Sequence, residues 1–367
     1  MTVTTGIELE LWVVDQDGCL CDGRQIADEH ERIKPEFVGP LLEVQTEPCG
    51  SEAALRRDLQ ETLRTAIRAA HAGGNLLVPL GTPLTEADVA CHDERGKLFE
   101  QIYGGGVKSA KNCAGTHVHF ERGETVRQLN LLTALDPALA LTSSSPYYCG
   151  QRGRSSSRAH AYRKQCGPEF RQFCDLWEYT DSVEEWQQRV DSAYEAFKSI
   201  AEDRGVSAAT VEEYFEPENT VLNPVRLRRC QPTVEWRAPD AALPSEVVRL
   251  ATDVAELVEQ TEHKPVEVGR PGVFDDRIGV PEFDELYDLS RVAINFGLRP
   301  TPVQNYLRRM GFDSSAYRPL SLRLGGAGTL TETEACQLRL EQAHRFEADV
   351  AKLTAPHPPT ANPVEEA

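Results

Sequence analysis

Residues 6–12 restrict the fold of this chain more than any other stretch. They alternate between polar and apolar types and run into Val13 and Val14, which predicts a half-buried β-strand. Side chains two residues apart on a strand point to the same face. Glu8 and Glu10 therefore share one face, and the apolar residues beside them fill the other. The alternatives for this pair are a solvated outer face and a site that grips a hard cation.

Two later stretches place carboxylates in the same way. Residues 40–48 predict a second strand on which Glu43 faces the same side as two further polar residues. Residues 231–240 predict another strand, on which Glu235 and Arg237 share a face. Carboxylates that share a strand face with other polar side chains thus recur on strands far apart in the sequence. This recurrence favours one shared sheet over separate domains.

Two histidines extend this polar set. His117 and His119 lie two residues apart in residues 114–120, which predict a further strand. Paired histidines alone more often make hydrogen bonds within the protein than bind a metal. Beside a face of glutamates, at least one becomes a candidate ligand. Mostly oxygen ligands with one histidine favour Mg²⁺ or Mn²⁺ over zinc.

Most of the remaining chain has helical periodicity. Ser51 predicts the start of a helix with apolar positions every three or four residues, and the glycine pair 73–74 predicts its end. Further helices are predicted at residues 126–141, 182–203, 245–262, 284–297, 301–310 and 331–353. We expect one catalytic domain over residues 1–355. Residues 356–367 are rich in Pro, Ala and Glu, which predicts a disordered C-terminal tail.

The charge balance excludes several classes of partner. The chain carries 58 acidic and 39 basic residues, for a formal net charge of −19. Such a surface argues against general nucleic-acid binding and against docking to anionic membranes. No stretch approaches the length of an apolar membrane span, and the N-terminus has no secretory pattern. We therefore expect a soluble, cytoplasmic protein.

The same composition gives a prediction about salt. Of the basic residues, 31 are arginine and 8 are lysine. An excess of carboxylates with few lysines indicates a salt-adapted host such as a halophilic archaeon, where salt screens the self-repulsion. A genome rich in G and C would also favour arginine over lysine, and this second explanation stays open. We expect folding and activity to improve in molar KCl, as measured by thermal unfolding and turnover across a KCl series. Full activity in dilute buffer would contradict this expectation.

The ten cysteines are scattered over a long chain without a secretory signal, so reduced thiols are expected. Cys19 and Cys21 form the only close pair in the sequence. No second pair has the spacing of a structural zinc site.

An arginine cluster follows the stretch S-S-S-P-Y-Y-C-G. It contains Arg152, Arg154, Arg158 and Arg163. Guanidinium groups bind carboxylates and phosphates through two parallel hydrogen bonds, so the cluster can form an anion clamp. A solvated basic loop explains the same residues equally well, and both interpretations stay open at this point.

Five motifs along the chain carry a family resemblance. They are G-I-E-L-E, L-L-E-V-Q-T, G-T-H-V-H-F, S-S-P-Y-Y-x-G followed by S-R, and P-T-V-E-W-R-A-P-D. In this order, over roughly residues 5–310, the chain resembles the glutamate–cysteine ligase and carboxylate–amine ligase family. The resemblance implies an α+β fold with a glutamine-synthetase-like catalytic core. In such a core a curved antiparallel β-sheet is backed by helices, and its concave face forms the active site.

The resemblance also implies residue roles. Divalent ions, Mg²⁺ or Mn²⁺, are held by Glu8, Glu10, Glu43, His117 and Glu235. Arg237 contacts the transferred phosphate of ATP, and Arg154 is assigned to ATP binding beside it. Arg158 helps to bind the substrate carboxylates, and His119 is a second candidate ligand. The arginine-rich segment after the tyrosine pair departs from the family pattern.

The implied activity is ATP-dependent synthesis of γ-glutamylcysteine from L-glutamate and L-cysteine through a γ-glutamyl phosphate. Two alternatives remain from the sequence alone. One is a ligase of the same family that uses another amine. The other is a metal-dependent amide hydrolase in which the same carboxylates and histidines activate water, although that chemistry leaves the arginines without a role.

Overall fold

A seven-stranded antiparallel β-sheet forms the centre of the protein in the computed structural model, which describes residues 3–354 apart from 88–90, 92, 230, 325 and 327. The strands of the described chain are β1 (Thr5–Val14), β2 (Ile33–Pro35), β3 (Leu41–Gln45), β4 (Leu76–Val78), β5 (Thr116–Glu121), β6 (Tyr147–Tyr148), β7 (Gln151–Arg152), β8 (Val225–Leu227), β9 (Thr233–Trp236), β10 (Val266–Val268), β11 (Gly272–Val273) and β12 (Ile278–Val280). The main sheet has the order β2-β3-β1-β5-β9-β8, and β4 pairs with the end of β1. Smaller sheets are formed by β6 with β7 and by β10, β12 and β11.

Strand β1 is the centre of the main sheet. It pairs antiparallel with β3, β4 and β5. Its first half alternates between buried and partly exposed residues, as the sequence predicts, and its second half is buried throughout. The alternation ends because the second half lies in the interior on both faces. There the Trp12 indole nitrogen donates a hydrogen bond of 2.8 Å to the carbonyl of Leu80.

Helices account for most of the other described residues. They are α1 (Arg24–Ala27), α2 (Glu52–Ala72), α3 (Glu94–Tyr103), α4 (Val107–Lys111), α5 (Thr125–Ala134), α6 (Ser157–His160), α7 (Arg171–Cys174), α8 (Val183–Asp203), α9 (Ala208–Tyr214), α10 (Pro217–Thr220), α11 (Pro244–Gln260), α12 (Phe283–Phe296), α13 (Thr301–Arg309), α14 (Leu320–Arg323) and α15 (Glu332–Lys352). A single π-helical turn, Ala161–Gln165, follows α6. Short 3₁₀ segments occur at Gly104–Gly106, Asp136–Leu141, Pro168–Phe170 and Ser314–Ala316.

Helices α2, α11 and α15 back one face of the main sheet and pack on one another. Helix α2 begins after Ser51, whose hydroxyl accepts a hydrogen bond of 3.3 Å from the Ala54 amide, and it ends at Gly73. Its inner face buries Leu55, Leu59 and Leu63, each worth roughly 1.5–3 kcal/mol when fully removed from water. The predicted α+β fold with a helix-backed antiparallel sheet is confirmed, and the opposite face of the sheet is left for the site.

No helix in the described ranges combines the length and the apolar character that crossing a membrane would require. The main sheet unites strands from Thr5 to Trp236. The predicted boundary at residue 355 and the predicted tail of residues 356–367 lie outside the described residues.

Candidate active site

Strand register brings the predicted carboxylates and histidines to one face of the main sheet. Residues directly opposite each other on antiparallel strands share a face and lie close together. The opposed pairs are Glu10 with Glu43, Glu8 with His117, and His119 with Glu235. Four neighbouring strands, β3, β1, β5 and β9, therefore contribute to one polar surface.

This surface forms the floor of a cavity of about 290 Å³. Six of the predicted site residues line the cavity: Glu8, Glu10, Glu43, His117, Glu235 and Arg237. Phe37, Phe99 and Leu222 add an apolar wall. Such a mixture, in which a few converging polar groups meet an apolar wall, is typical of small-molecule sites.

His117 is the hub of the polar cluster. Its Nδ1 lies 3.1 Å from the Glu8 carboxylate and 3.2 Å from Nη1 of Arg237, and its Nε2 lies 3.5 Å from Glu10. Burial and the nearby Arg237 guanidinium lower the pKa of His117, even though the neighbouring carboxylates oppose this shift. The imidazole is therefore neutral at physiological pH, which is the form that coordinates a metal ion.

Three buried atoms of the cluster make no well-aligned hydrogen bond within the described chain, although carboxylates lie near them. They are Nε2 of His117, Nε2 of His119 and Oε2 of Glu235. His119 is oriented by a contact of 3.1 Å between its Nδ1 and the Thr233 hydroxyl, and its Nε2 lies 3.3 Å from Glu8. Unpartnered buried polar atoms are costly. A cation bound between them would satisfy their lone pairs.

The same side chains form three overlapping groups whose potential ligand atoms lie within 4.8 Å of one another. The groups are Glu8 with Glu43 and His117, Glu8 with His119 and Glu235, and Glu10 with Glu36 and Glu43. Carboxylate oxygens predominate in all three, which suits Mg²⁺ or Mn²⁺. The donor set therefore fits the divalent ions predicted from the sequence, and it includes His119, the second candidate.

Glu36 also belongs to this cluster, although its sequence context did not predict a site residue. It follows β2 directly and lines the cavity beside Glu10 and Glu43. Burial, and then the negative charge of Glu10, raise the pKa of Glu36 to about 8. Its sequence neighbourhood carries no second carboxylate two residues away, so the spacing that marked Glu8 and Glu10 gave no signal for it.

A cationic wall faces these carboxylates. Arg237 forms an ion pair with Glu235, and Arg226 and Arg228 approach Glu235 to 3.7 and 3.8 Å. Burial alone would raise the pKa of Glu235, but Arg237 and Arg226 outweigh it and hold that pKa well below its usual range. The Nε atoms of Arg226 and Arg228 are buried without a hydrogen-bond partner in the described structure. These donors can bind an anion such as phosphate.

Arg226 and Arg228 were also missed as site residues. They lie on and directly after β8, next to β9, and their two-residue spacing matches that of Glu8 and Glu10. This spacing is the signal that could have placed both side chains on the face of the sheet that carries Glu235.

Arg158 lies behind the cavity instead of lining it. Its Nη1 donates hydrogen bonds of 3.2 and 3.3 Å to the carbonyls of Arg237 and Ala238, and its guanidinium lies over the Tyr162 ring at 5.4 Å. Gly115 packs against this guanidinium so closely that a Cβ atom there would lie 2.1 Å from Nη2. In this position Arg158 holds the backbone that follows β9, and its role in binding the substrate carboxylates stays a prediction.

Arg154 is not brought to the cavity either. It lines a separate cavity of about 180 Å³ together with His160, Lys164 and Arg291. The α6 segment turns Arg158 and Tyr162 towards the main sheet, and it leaves Arg154 and His160 on the other side. The arginine cluster seen in the sequence is thus divided between two places in the fold.

A second cavity of about 470 Å³ adjoins the first. Glu8, Gln45 and Gln231 line both. His119 and Thr233 line the second cavity, together with the apolar surfaces of two prolines. Glu8 therefore lies between two spaces, and the polar surface has room for two ligands side by side.

The family model for glutamate-cysteine ligase family 2 (GCS2) matches residues 4–277, which include every site residue described above. The chain therefore belongs to glutamate-cysteine ligase family 2. The family assignment made from the five motifs is confirmed.

Individual relatives match over a shorter span. Proteins provisionally named glutamate–cysteine ligase 2 from Ruegeria pomeroyi and from Salinispora tropica are each 31% identical to this chain, over 179 and 173 residues. These alignments cover 42 and 43% of this chain and 44 and 45% of the two relatives. The chain thus matches under half of the length of each.

Two solved structures share the fold over nearly the whole chain. A bifunctional glutathione synthetase from Pasteurella multocida aligns with a TM-score of 0.57 and 16% identity, over 95% of this chain and 53% of that one. A glutamate–cysteine ligase from Francisella tularensis, solved in complex with AMP, aligns with a TM-score of 0.51 and 15% identity, over 96 and 92% of the two chains. At this level of identity the similarity concerns the fold alone.

Proposed function

We propose that this protein is an ATP-dependent carboxylate–amine ligase, and that it joins the γ-carboxylate of L-glutamate to the amine of L-cysteine. One observation carries the proposal: a single cavity combines a carboxylate and histidine cluster suited to divalent ions with the three arginines 226, 228 and 237. Membership of glutamate-cysteine ligase family 2 supports the reaction class and the choice of glutamate and cysteine.

Five side chains would hold the divalent ions, namely Glu8, Glu10, Glu43, His117 and Glu235, and Glu36 and His119 would complete their surroundings. When bound, Mg²⁺ or Mn²⁺ would neutralise negative charge on the phosphate oxygens of ATP. The unpartnered Nε2 atoms of the two histidines support this assignment.

The arginines define the chemistry that the chain itself supplies. A carboxylate is a poor acyl electrophile, so its oxygen first attacks the γ-phosphorus of ATP, giving ADP and an acyl phosphate. The guanidinium of Arg237, with those of Arg226 and Arg228, would bind the oxygens of the phosphoryl group during transfer. The amine then attacks the acyl carbon, the amide bond forms, and phosphate leaves with the former carboxylate oxygen. Arg237 would stabilise the departing phosphate.

Two adjoining cavities support a reaction in which the nucleotide and the amino acids bind side by side. The nucleotide phosphates and the amino-acid substrates must meet within bonding distance for direct transfer. The two cavities adjoin at Glu8, and together they measure several hundred cubic ångströms. Glu8 would therefore lie close to the point of phosphoryl transfer.

Metal binding should release protons at neutral pH. Glu36 has a pKa of about 8, and burial beside three other carboxylates also raises the pKa of Glu43. Glu36 is largely protonated below pH 8, and the raised pKa of Glu43 favours its protonated form, but only ionised carboxylates coordinate a metal. We expect Mg²⁺ or Mn²⁺ affinity to rise with pH between pH 6 and 8, by up to about tenfold per pH unit for each proton that leaves. Calorimetric titrations in buffers of different ionisation enthalpy would count the protons. Affinity that is constant across this range would contradict the assignment.

Product formation from Mg-ATP tests the proposed function. The protein is incubated in high KCl with glutamate alone, then with cysteine added, and then with a panel of other amines. The proposal expects phosphate and γ-glutamylcysteine to form in equal amounts only when both amino acids are present. Release with another amine would keep the reaction class and replace the acceptor. Hydrolysis of amides without ATP consumption would favour the metal-dependent hydrolase instead.

A further inference from the structure

Two cysteines that are far apart in the sequence meet at the surface. Cys19 is exposed in the turn after β1, and Cys336 lies in the first turns of α15. Their Sγ atoms are 3.5 Å apart, across a sequence separation of 317 residues. The nine cysteines that the structure describes, these two included, are free thiols.

The backbone around this pair is held on both sides. The Asp15 carboxylate accepts a hydrogen bond of 2.9 Å from the Cys19 amide, which fixes the turn. Gly18 has a φ of 82° and packs against the Cys336 carbonyl so closely that a Cβ atom there would lie 2.3 Å from the oxygen. The buried Arg339 donates a hydrogen bond of 2.8 Å to the Gly18 carbonyl, and its Nη1 lies 3.7 Å from the Cys336 sulfur.

We propose that Cys19 and Cys336 are a redox-modification site, at which a small-molecule disulfide converts the two thiols into a disulfide that ties the β1 turn to α15. The sulfur atoms need to approach by about 1.5 Å to reach the bond length of about 2.05 Å. Rotation of the exposed Cys19 side chain can supply this movement, because the surrounding contacts already hold both backbones in place.

The exchange proceeds in two balanced steps. The Cys19 thiolate attacks one sulfur of the disulfide R–S–S–R, which forms a mixed disulfide at Cys19 and releases one RSH. The Cys336 thiolate then attacks the Cys19 sulfur and releases the second RSH. The two protein thiols are oxidised, the small disulfide is reduced, and their two protons end on the two RSH molecules. Cys19 is attacked first because it is exposed, whereas Cys336 is buried.

The new bond would close a covalent loop around most of the chain. Cross-links across long loops restrict the unfolded chain most, so a higher unfolding temperature is expected. For a protein of this size we expect a rise of about 5–10 °C, reversed by dithiothreitol. This proposal is independent of the ligase activity.

The test treats the full-length protein with 2-hydroxyethyl disulfide and combines non-reducing peptide mapping with thermal unfolding. Cys19→Ser and Cys336→Ser are compared with Cys21→Ser, a matched control in the same turn whose sulfur contacts Asn75 instead. The wild type and Cys21→Ser should yield the Cys19–Cys336 peptide and the higher unfolding temperature. Cys336→Ser should stop at a mixed disulfide on Cys19.

A wild type that also stops at this adduct, or that links Cys19 to Cys21, would overturn the proposal. Because Cys19 is exposed, Cys19→Ser should fold normally, so its loss of the cross-link and of the higher unfolding temperature cannot come from misfolding.

Discussion

Replacement of Glu8 by glutamine is expected to lower ATP turnover by at least about 100-fold. Glu8 contacts both histidines of the site, at 3.1 Å for His117 and 3.3 Å for His119, and it belongs to two of the three potential ligand groups. An amide keeps the size of the side chain but removes its charge and one acceptor oxygen. The loss should appear both in steady-state turnover and in the increase of unfolding temperature that Mg²⁺ causes.

A matched control is Glu124→Gln. Glu124 is exposed just beyond β5, and its charge partner is Arg127 at 3.7 Å. This variant should keep wild-type turnover and the wild-type response to Mg²⁺. If Glu8→Gln retained turnover within a few-fold of the wild type while folding normally, the metal assignment would be wrong.

Replacement of Arg237 by lysine is expected to lower kcat by about 10²–10³-fold, with a smaller change in the KM for ATP. Arg237 contacts Glu235 and His117 and lines the cavity. Lysine keeps a positive charge but loses the planar fork that binds two phosphate oxygens at once. The proposal assigns Arg237 to the phosphoryl group in the transition state, so the loss should fall mainly on kcat. Initial rates over a range of Mg-ATP concentrations separate the two parameters.

Arg229→Lys is the matched control for that variant. Arg229 lies in the same segment as Arg226 and Arg228, but its side chain is exposed and pairs with Asp191 at 2.7 Å. We expect rates close to those of the wild type. An Arg237→Lys enzyme with unchanged kcat and a raised KM would instead assign Arg237 to ground-state binding of the nucleotide.

The sequence predicted the parts of the fold and site that depend on local pattern. The period of two in residues 6–12 located β1 and placed Glu8 and Glu10 on one face, and Ser51 and Gly73 bounded α2. The same two-residue spacing located His117 and His119 on β5 and Glu235 beside Arg237 at β9. A strand fixes which face a side chain occupies, so these predictions needed no knowledge of strand order.

The sequence pattern could not predict which strands and helices contact one another in the fold. Glu36 enters the site because β2 pairs with β3, and this pairing is a long-range contact that no local period encodes. Cys336 meets Cys19 for the same reason, since α15 returns across the chain to the end of β1. Alternation also failed in the second half of β1, where burial on both faces removes the contrast on which the pattern depends.

The arginine cluster after the tyrosine pair is a further case in which local sequence did not predict the contacts of the side chains. The sequence places Arg154 and Arg158 four residues apart, and it left an anion clamp and a solvated basic loop as alternatives. Between them the chain enters α6, whose turn directs Arg158 towards the backbone after β9 and leaves Arg154 at the separate cavity. Roles in substrate binding for these two residues stay predictions. The arginines that line the main cavity come from β8, from the residues directly after β8 and β9, and from α3, which contributes Arg95.

The most direct test of the central claim follows one oxygen atom. L-Glutamate that carries a heavy oxygen isotope in its γ-carboxylate is incubated with the protein, Mg-ATP and L-cysteine in high KCl, and the released phosphate is analysed by mass spectrometry. An acyl-phosphate mechanism predicts that each phosphate formed carries one labelled oxygen, because the carboxylate oxygen leaves with the phosphoryl group. Phosphate without label, or amide chemistry with no phosphate at all, would contradict the assignment of this site as a carboxylate–amine ligase.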